Sequence, residues 1–571
     1  MLKWIKENRK PLVYALLLSV VFCLPLFTNS IYNGYDLRFH LNRIVGIADA
    51  FRDGQILPKI YPYTNNGYGY ASPLFYCDLF LYPFAIVYML GCPLIIAYKL
   101  MIIFYTIIGN VFCFVLVKNI CNNPKIIYGT LTLYALGNYR LIDCFSRAAF
   151  GEFLALSFVP LVLLAFYKVL YAKEEKYIIL AIGFTCLLMS HNLTFALYCL
   201  LYLLLMVAFI IKNNKDFDAI KKMIITTMKA AVIAILLCIW YMFPMLEQMF
   251  DQTLWISELG KMYSLSNNYI EITSFIKPLL ELDIKSSMTV AMVNAIGYPL
   301  LLIFILQLIN KKDYWTKAIS VIVIVLLLIA TGIIPINQYI TIFNTLQFSF
   351  RWYILIYPLM VILAIVYLSK TNKQIIVILL LFTFINTIYY HYQIVINDEQ
   401  ISNNISTEDL FDFNNILYKD YNEKQISGGE YLPVTLYNDY LEETTFIKRV
   451  NNDRKYEDVV YEYNRYFTNI DFEYTSSGDE LLMMPLTYYK GYDAYAIKDG
   501  IKYNLDVINV DTYAKVGICT LEGNAQYHVE YCGTMLQHLS LGISVITLLG
   551  LFVYSLINWR KKYEEKNIVC E

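Results

Sequence analysis

The sequence predicts a polytopic α-helical membrane protein of about 12 spans, with a β-sandwich-like domain ahead of the last helix. Three observations predict it. Hydrophobic residues make up 58% of the chain and charged residues only 16%, against about half and a quarter in a soluble globular chain. Apolar runs long enough to cross a bilayer recur along most of its length. Over residues 392–537 that pattern gives way to alternating apolar and polar residues, the period of a strand.

The N-terminal stretch MLKWIKENRK precedes an apolar run. Pro25 and Phe27 stand where a signal peptide would show small residues for cleavage, so the run reads as a retained first helix. Candidate spans follow at roughly 11–29, 94–117, 125–143, 150–171, 177–191, 193–211, 223–246, 290–309, 316–334, 352–369, 374–391 and 538–558. Lys3, Lys6, Arg9 and Lys10 place the N-terminus in the cytoplasm. Lys118 and Lys125, Lys173 and Lys176, the lysines of 212–222 and 311–317, and Lys370 with Lys373 then fall on the same side, as does the tail with Arg560, Lys561 and Lys562. This alternation requires that the aromatic segment 73–90, with Asp78 and Pro83, lie along the outer interface without crossing. The expected layout is a transmembrane domain over 1–391 with an external first loop at 28–93, an extracellular β-rich domain over 392–537, and a last helix with cytoplasmic tail over 538–571. It describes a multi-pass plasma-membrane protein with both termini cytoplasmic. In the β-rich part, Asp499-Gly500 between AYAI and IKYNL predicts a tight hairpin.

A net charge of −1 gives no electrostatic case for nucleic acid. The twelve cysteines are scattered, mostly inside apolar runs, with no metal-binding spacing, and read as small core residues.

The first loop, IYNGYDLRFHLNRIVGIADAFRDGQILPKIYPYTNNGYGYASPLFY, is too polar to enter a bilayer. Ionisable residues at a membrane edge are functional candidates. Asp36 and His40 are four apart, so a helical turn places both on one face, with Arg38 and Arg43 nearby. A carboxylate beside a histidine can deprotonate a hydroxyl or hold a divalent cation. A salt bridge among Asp36, Arg38 and Arg43 accounts for the same pattern without chemistry. Arg147 and Glu152 flank the start of the fourth span, where Glu152 also suits a helix N-terminus. His191 interrupts an apolar stretch at an outer turn, as a packing residue or a site residue. Arg351 opens a span, where it either snorkels to headgroups or binds a lipid phosphate. Tyr61, Tyr63, Tyr68 and Tyr70 suit either sugar stacking or interfacial anchoring.

The pieces GYDLRFHLNRI, GQILPKIYPYTNNGYGYASPLFYCDLFLYP, RAAFGEFLALSFVPL, SHN, LQFSFRWYIL, MPLTYYKGY and VEYCGTMLQHLSLGIS, in this order, resemble the YfhO-type family of bacterial membrane proteins. They also resemble a related group labelled as 6-pyruvoyl-tetrahydropterin-synthase-related membrane proteins. The pterin-synthase activity itself does not fit. Such an enzyme is a small soluble zinc protein with a histidine triad, whereas His40, His191, His391, His528 and His538 are spread over the spans and the β-rich part. The family is similar to polyprenyl-phosphate-dependent glycosyltransferases of the GT-C class, and the resemblance implies a GT-C-like transmembrane domain. It implies Asp36 as catalytic acid or base, with Glu152 as a second catalytic or positioning acid. Arg351, with Arg147 or Arg38, would neutralise the leaving phosphate, while His40 would position the acceptor or a divalent cation. The implied partners are a polyprenyl-phosphate-linked sugar donor, an extracellular glycan or glycolipid acceptor, and membrane lipid. Relatives tend to show a proline before the arginine, QFPWR-like, where this chain has Ser349-Phe350-Arg351.

Two other classes compete with the enzyme. A polyprenyl-lipid flippase or transporter would carry charge near mid-span, whereas the ionisable residues here gather at span ends. A non-catalytic envelope assembly factor would work through its β-rich domain.

Overall fold

The computed structural model describes residues 2–65, 67–257, 269, 296–310, 313–397, 400–406, 429–435, 446–451, 456–510 and 514–568. The chain is mostly helical with a C-terminal β-rich region. Among the described residues, seven helices are long and apolar enough to cross a membrane: Leu94–Ile120, Phe150–Tyr171, Asn192–Lys212, Phe217–Asp251, Ser349–Lys370, Lys373–Val395 and Met535–Arg560. Tyr177–Ser190, Tyr298–Ile309 and Tyr314–Ala330 are shorter apolar helices.

Each of the twelve expected segments therefore holds a helix, but not all at the expected length. The expected 11–29 span is a 14-residue helix, Arg9–Phe22, closed by a tight turn at Leu24–Phe27 around Pro25. A helix over Leu2–Glu7 precedes it, and backbone hydrogen bonds from Asn8 to Trp4 and from Leu12 to Asn8 carry the helical pattern from one to the other. The expected 125–143 span stops at Ala135, as the 12-residue helix Pro124–Ala135. The start of the 290–309 span and most of the 247–289 loop lie outside the described residues. The aromatic 73–90 segment forms two short helices, Ser72–Phe75 and Tyr82–Met89, neither long enough to cross.

Contacts divide the chain into two compact units. The first comprises Met1–Val45, Asp78–Ala230 and Leu259–Asp412; the second comprises Gly46–Cys77, Ala231–Glu258 and Phe413–Glu571. These units cut across the expected division, because the first loop is shared between them.

In the first unit the helices carrying Glu152 and Arg351 are the most enclosed, with 83% and 78% of their most apolar stretches buried. Strands β1 (Ser30–Tyr32) and β2 (Gln400–Ser402) pair antiparallel beside the Asp36 turn. The Lys99 ammonium holds this segment by donating to the carbonyls of Thr28 and Ser30 at 2.9 and 2.8 Å. Arg140, fully buried in the bundle, donates to Asn110 Oδ1 at 2.9 Å and lies against the Phe22 and Tyr134 rings.

Among the described residues, the second unit holds ten strands in two five-stranded antiparallel sheets. They are β3 (Ile447–Val450), β4 (Tyr456–Val460), β5 (Asn464–Tyr466), β6 (Asn469–Ser476), β7 (Leu481–Thr487), β8 (Tyr492–Lys498), β9 (Ile501–Leu505), β10 (Val507–Val510), β11 (Lys515–Cys519) and β12 (Gly523–Tyr531). One sheet runs β10-β11-β7-β3-β4 and the other β5-β6-β12-β8-β9. Inward side chains of both, such as Leu482, Met484, Val516, Phe472, Tyr527 and Val529, share one core, which makes a sandwich. Ile60, Ala71, Leu74 and Phe75 join that core, so part of the first loop belongs to the β unit.

This packing explains three of the four tyrosines, while Tyr63 stays 49% exposed and donates to Asp53. Tyr61, Tyr68 and Tyr70 are at most 2% exposed. Tyr61 and Tyr70 bridge each other through backbone hydrogen bonds, the Tyr68 carbonyl accepts from Thr487 N–H at 2.7 Å, and the Lys515 ammonium sits over the Tyr68 ring at 4.8 Å. A sugar-stacking residue needs an open ring face, and an interfacial anchor needs exposure. These three side chains have neither, because the hydrophobic gain of burying them in the sandwich unit is larger.

The eleven described cysteines are all free thiols. The Asp499-Gly500 pair closes β8 onto β9 with both residues at positive φ, 51° and 78°, the conformation a two-residue hairpin with the native twist requires. A Cβ on Gly500 would meet nothing within 4 Å. Gly500→Ala therefore isolates the backbone cost and is expected to remove about 1 kcal/mol of stability, measured as a lowered unfolding midpoint in detergent.

Candidate functional site

The first unit brings together residues that are far apart in sequence. After the helix Pro124–Ala135 the chain makes a short turn of helix, Asn138–Leu141, then a wide π-type turn over Ile142–Ser146 that carries Asp143. Such wide turns recur at functional sites. Ala148 takes a left-handed φ of 51°, and the helix Phe150–Phe166 starts immediately after, with Glu152 in its first turn.

Arg147, 4% exposed, sits in the bend. Its guanidinium forms ion pairs with the carboxylates of both Asp143 and Glu152, the latter at 2.8 Å. The Tyr139 hydroxyl donates to the other Glu152 oxygen, and the Arg147 guanidinium lies 4.7 Å from the centre of the Phe350 ring. Asp143 is fully buried and its Oδ2 has no hydrogen-bond partner among the described residues.

The Asp36 turn docks on this bend. Asp36 N–H donates to the Arg147 carbonyl at 2.9 Å. Gly34 makes the approach possible: a Cβ there would lie 2.7 Å from Ala148 Cβ and 3.0 Å from the Phe145 carbonyl oxygen. The Asp36 side chain is half-buried, and among the described residues its carboxylate accepts no hydrogen bond. Burial raises its pKa above the usual carboxylate range, against the pull of Arg147 and Arg351.

Arg351 enters from a helical turn, Ser349–Trp352. Its Nη1 donates to the Leu346 carbonyl and to Gln347 Oε1, both at 3.0 Å. Its Nε is buried without an acceptor, and among the described residues no carboxylate lies within ion-pair distance. Asp36 and Glu152 both act on it electrostatically. His191 precedes the helix Asn192–Lys212, with Nδ1 2.8 Å from Thr194 Oγ1 and Glu152 and Arg351 in electrostatic reach.

His40 and Arg43 serve a neighbouring network. Arg43, 2% exposed, pairs with Asp78 at 2.6 Å, rather than with Asp36. It also lies 3.1 Å from His40 Nδ1, while His40 Nε2 accepts the Phe150 N–H at 3.2 Å. His40 therefore ties the first-loop helix to the start of the helix that bears Glu152. Arg38 is half-buried in the first turn of the helix Leu37–Arg52. Asp36, Arg147, Glu152, His191 and Arg351 thus form one electrostatic group. Asp143 and Tyr139 belong to it too, although neither was singled out from sequence. Asp143 lies four residues before Arg147, a helical ion-pair spacing that could have flagged it.

Among the described residues no three His, Cys, Asp or Glu side chains are arranged to hold a metal ion. The nearest carboxylate pair, Asp143 and Glu152, already embraces Arg147. That carboxylate pair is engaged by a guanidinium and does not suit a divalent cation.

A family model described as "6-pyruvoyl-tetrahydropterin synthase related domain; membrane protein" matches residues 74–396. That is more than half of the chain. The protein belongs to this family. All the grouped side chains except Asp36 fall within the family match. A protein of Lactococcus lactis subsp. cremoris (strain MG1363), named "Uncharacterized protein", is 24% identical over 249 residues. The similarity covers 43% of this chain and 40% of that relative.

Two outcomes are expected. Gly34→Ala should push the Asp36 turn off the Arg147 bend and cost about 1–3 kcal/mol, seen as a lower unfolding midpoint; an unchanged midpoint would show that the close approach is not required. The second concerns pH. Burial, opposed by Glu152 and aided by Arg351 and Arg147, pushes His191 down to about 4. Burial, then Arg43, pushes His40 well below its usual value. The unfolded chain takes up protons on both near pH 6.5 while the folded chain does not, so their contribution is complete above about pH 6.5 and is lost as pH falls from there. The raised Asp36 acts in the opposite sense at the acid end. Stability should decline between pH 7 and 5, with a shallower decline in His191→Gln; parallel curves would refute the assignment to His191.

Proposed function

We propose that this chain is a membrane glycosyltransferase that takes a sugar from a polyprenyl-phosphate-linked donor and passes it to an extracellular cell-envelope acceptor, such as a wall or lipid-linked polymer. The observation that carries this reading is the pairing of a half-buried carboxylate accepting no hydrogen bond among the described residues, Asp36, with a guanidinium, Arg351, that has no carboxylate partner among them. Arg147 does not compete for the same task, since Asp143 and Glu152 already neutralise it.

The chemistry follows from the two groups. Asp36 takes the proton of an acceptor hydroxyl, and its raised pKa makes it a stronger base than an exposed carboxylate. The acceptor oxygen bonds to the anomeric carbon as the bond from that carbon to the phosphate oxygen breaks. The electron pair leaves on the polyprenyl phosphate, whose charge Arg351 meets with donors that suit phosphate geometry. The donor's isoprenoid tail stays in lipid, which suits a site at the ends of membrane helices. The orientation expected from lysine and arginine, with the β-rich domain and the Asp36 turn outside, puts this chemistry on the extracellular face.

The test is Asp36→Asn and Arg351→Gln in the host, beside the parent at equal expression. Envelope sugar content and the release of polyprenyl phosphate from membranes are both read. Asp36→Asn should lower release by about 100-fold or more. Unchanged release in both variants would sink the enzyme, and loss of an envelope phenotype on deleting only the β-rich region, with release intact, would favour the assembly-factor alternative. Net movement of donor lipid between leaflets without sugar transfer would favour the flippase.

A further inference from the structure

The second unit contains an open cleft of about 420 Å³ that plays no part in the proposed chemistry. Phe243, Leu246, Glu247, Phe250 and Asp251 line it from the end of the helix Phe217–Asp251, Leu536 from the start of the last helix, and Lys490 from the β7–β8 turn. The three apolar residues on the first helix recur at intervals of three and four, so they share a face. They stay 39%, 37% and 87% exposed, and Leu536 38%.

The polar end of the cleft is fixed in place. Gln248 clasps the β7–β8 turn twice, donating to the Lys490 carbonyl at 2.6 Å and accepting its N–H at 3.0 Å. Thr534 donates to Glu247 Oε2 at 2.6 Å, and Ser544 donates to the Leu236 carbonyl at 2.8 Å, which holds the two helices antiparallel. Lys490 Nζ lies 3.5 Å from Glu247 Oε1 with its side chain 47% exposed, and Asp251 is exposed beside it.

We propose that this cleft binds a zwitterionic phospholipid bearing a primary amine, with its phosphate on Lys490, its ammonium between Asp251 and Glu247, and an acyl chain along Phe243, Leu246 and Leu536. Charge selects this occupant. Two carboxylates against one ammonium disfavour a purely anionic headgroup. A quaternary choline has no N–H to donate to a carboxylate, whereas a primary ammonium has three. The apolar floor lies on two helices long and apolar enough to cross a membrane, whose lipid would supply the chain.

The experiment uses the full chain in nanodiscs of equal phosphatidylethanolamine, phosphatidylcholine and phosphatidylglycerol, with lipid adducts and copy number read by native mass spectrometry. The parent should retain phosphatidylethanolamine over the other two. Lys490→Gln should weaken that retention by up to about fivefold, the effect of losing one exposed ion pair, and Asp251→Asn should move the preference toward phosphatidylglycerol. Both side chains are exposed, so both variants are expected to fold; Phe250→Ser supplies a third, removing apolar floor without changing charge, and should lower retention of all three lipids. Equal retention of the three lipids by the parent, unchanged selectivity in both charge variants, or a lipid-free dimer lost on Phe250→Ser would each overturn the assignment.

Discussion

The site depends on one guanidinium. Arg147 is nearly inaccessible, and it faces two carboxylates, Asp143 and Glu152, while its own carbonyl accepts the Asp36 amide. Taking such a charge out of water costs several kcal/mol, returned only when its partners are fixed with good geometry. The wide turn, the left-handed Ala148 and the start of the helix at Phe150 supply that geometry. Burial and the neighbouring Glu152 push the Asp143 carboxyl well above the usual carboxylate range, so Glu152 is the ionised partner that balances the Arg147 guanidinium. The second positive group in reach is Arg351.

Burial grades the roles of these side chains. Arg147, Asp143, Glu152 and Tyr139 are enclosed and mutually satisfied, apart from one Asp143 oxygen, and act as a rigid floor. Asp36 and Arg351 sit at its margin, half-buried, with hydrogen-bonding capacity in hand. His40 belongs with the floor, since its ring joins the Asp78–Arg43 pair to the Phe150 amide and so braces the helix that carries Glu152. Separating fixed from available groups in this way holds the available ones in register.

Much of this was legible in the sequence. Apolar runs marked where helices form, and the strand period with Asp499-Gly500 marked the sandwich and its hairpin, because both signals are local. Asp36, Arg147, Glu152, His191 and Arg351 stood out as charges at the ends of apolar segments, and the fold gathers them. Three features depended on distant partners and were not legible. Arg43 takes Asp78, 35 residues on, in place of the nearby Asp36. Asp143 and Arg140 looked like parts of a span, until the helix ended at Ala135. Tyr61, Tyr68 and Tyr70 of the first loop looked like surface residues, because nothing local shows that 46–77 packs into a sandwich formed some 400 residues later.

The free thiols have a practical consequence. Cys519 and Cys532 are the exposed ones among those described, and both lie in the sandwich unit, Cys519 in β11 and Cys532 just ahead of the last helix. They differ in chemistry: partial burial beside Glu530 and Asp493 pushes the Cys532 thiol up to about 12, which leaves little thiolate at neutral pH. The chain thus carries its own sidedness reporter at Cys519, where a maleimide too polar to permeate would alkylate intact cells only if the sandwich faces the medium.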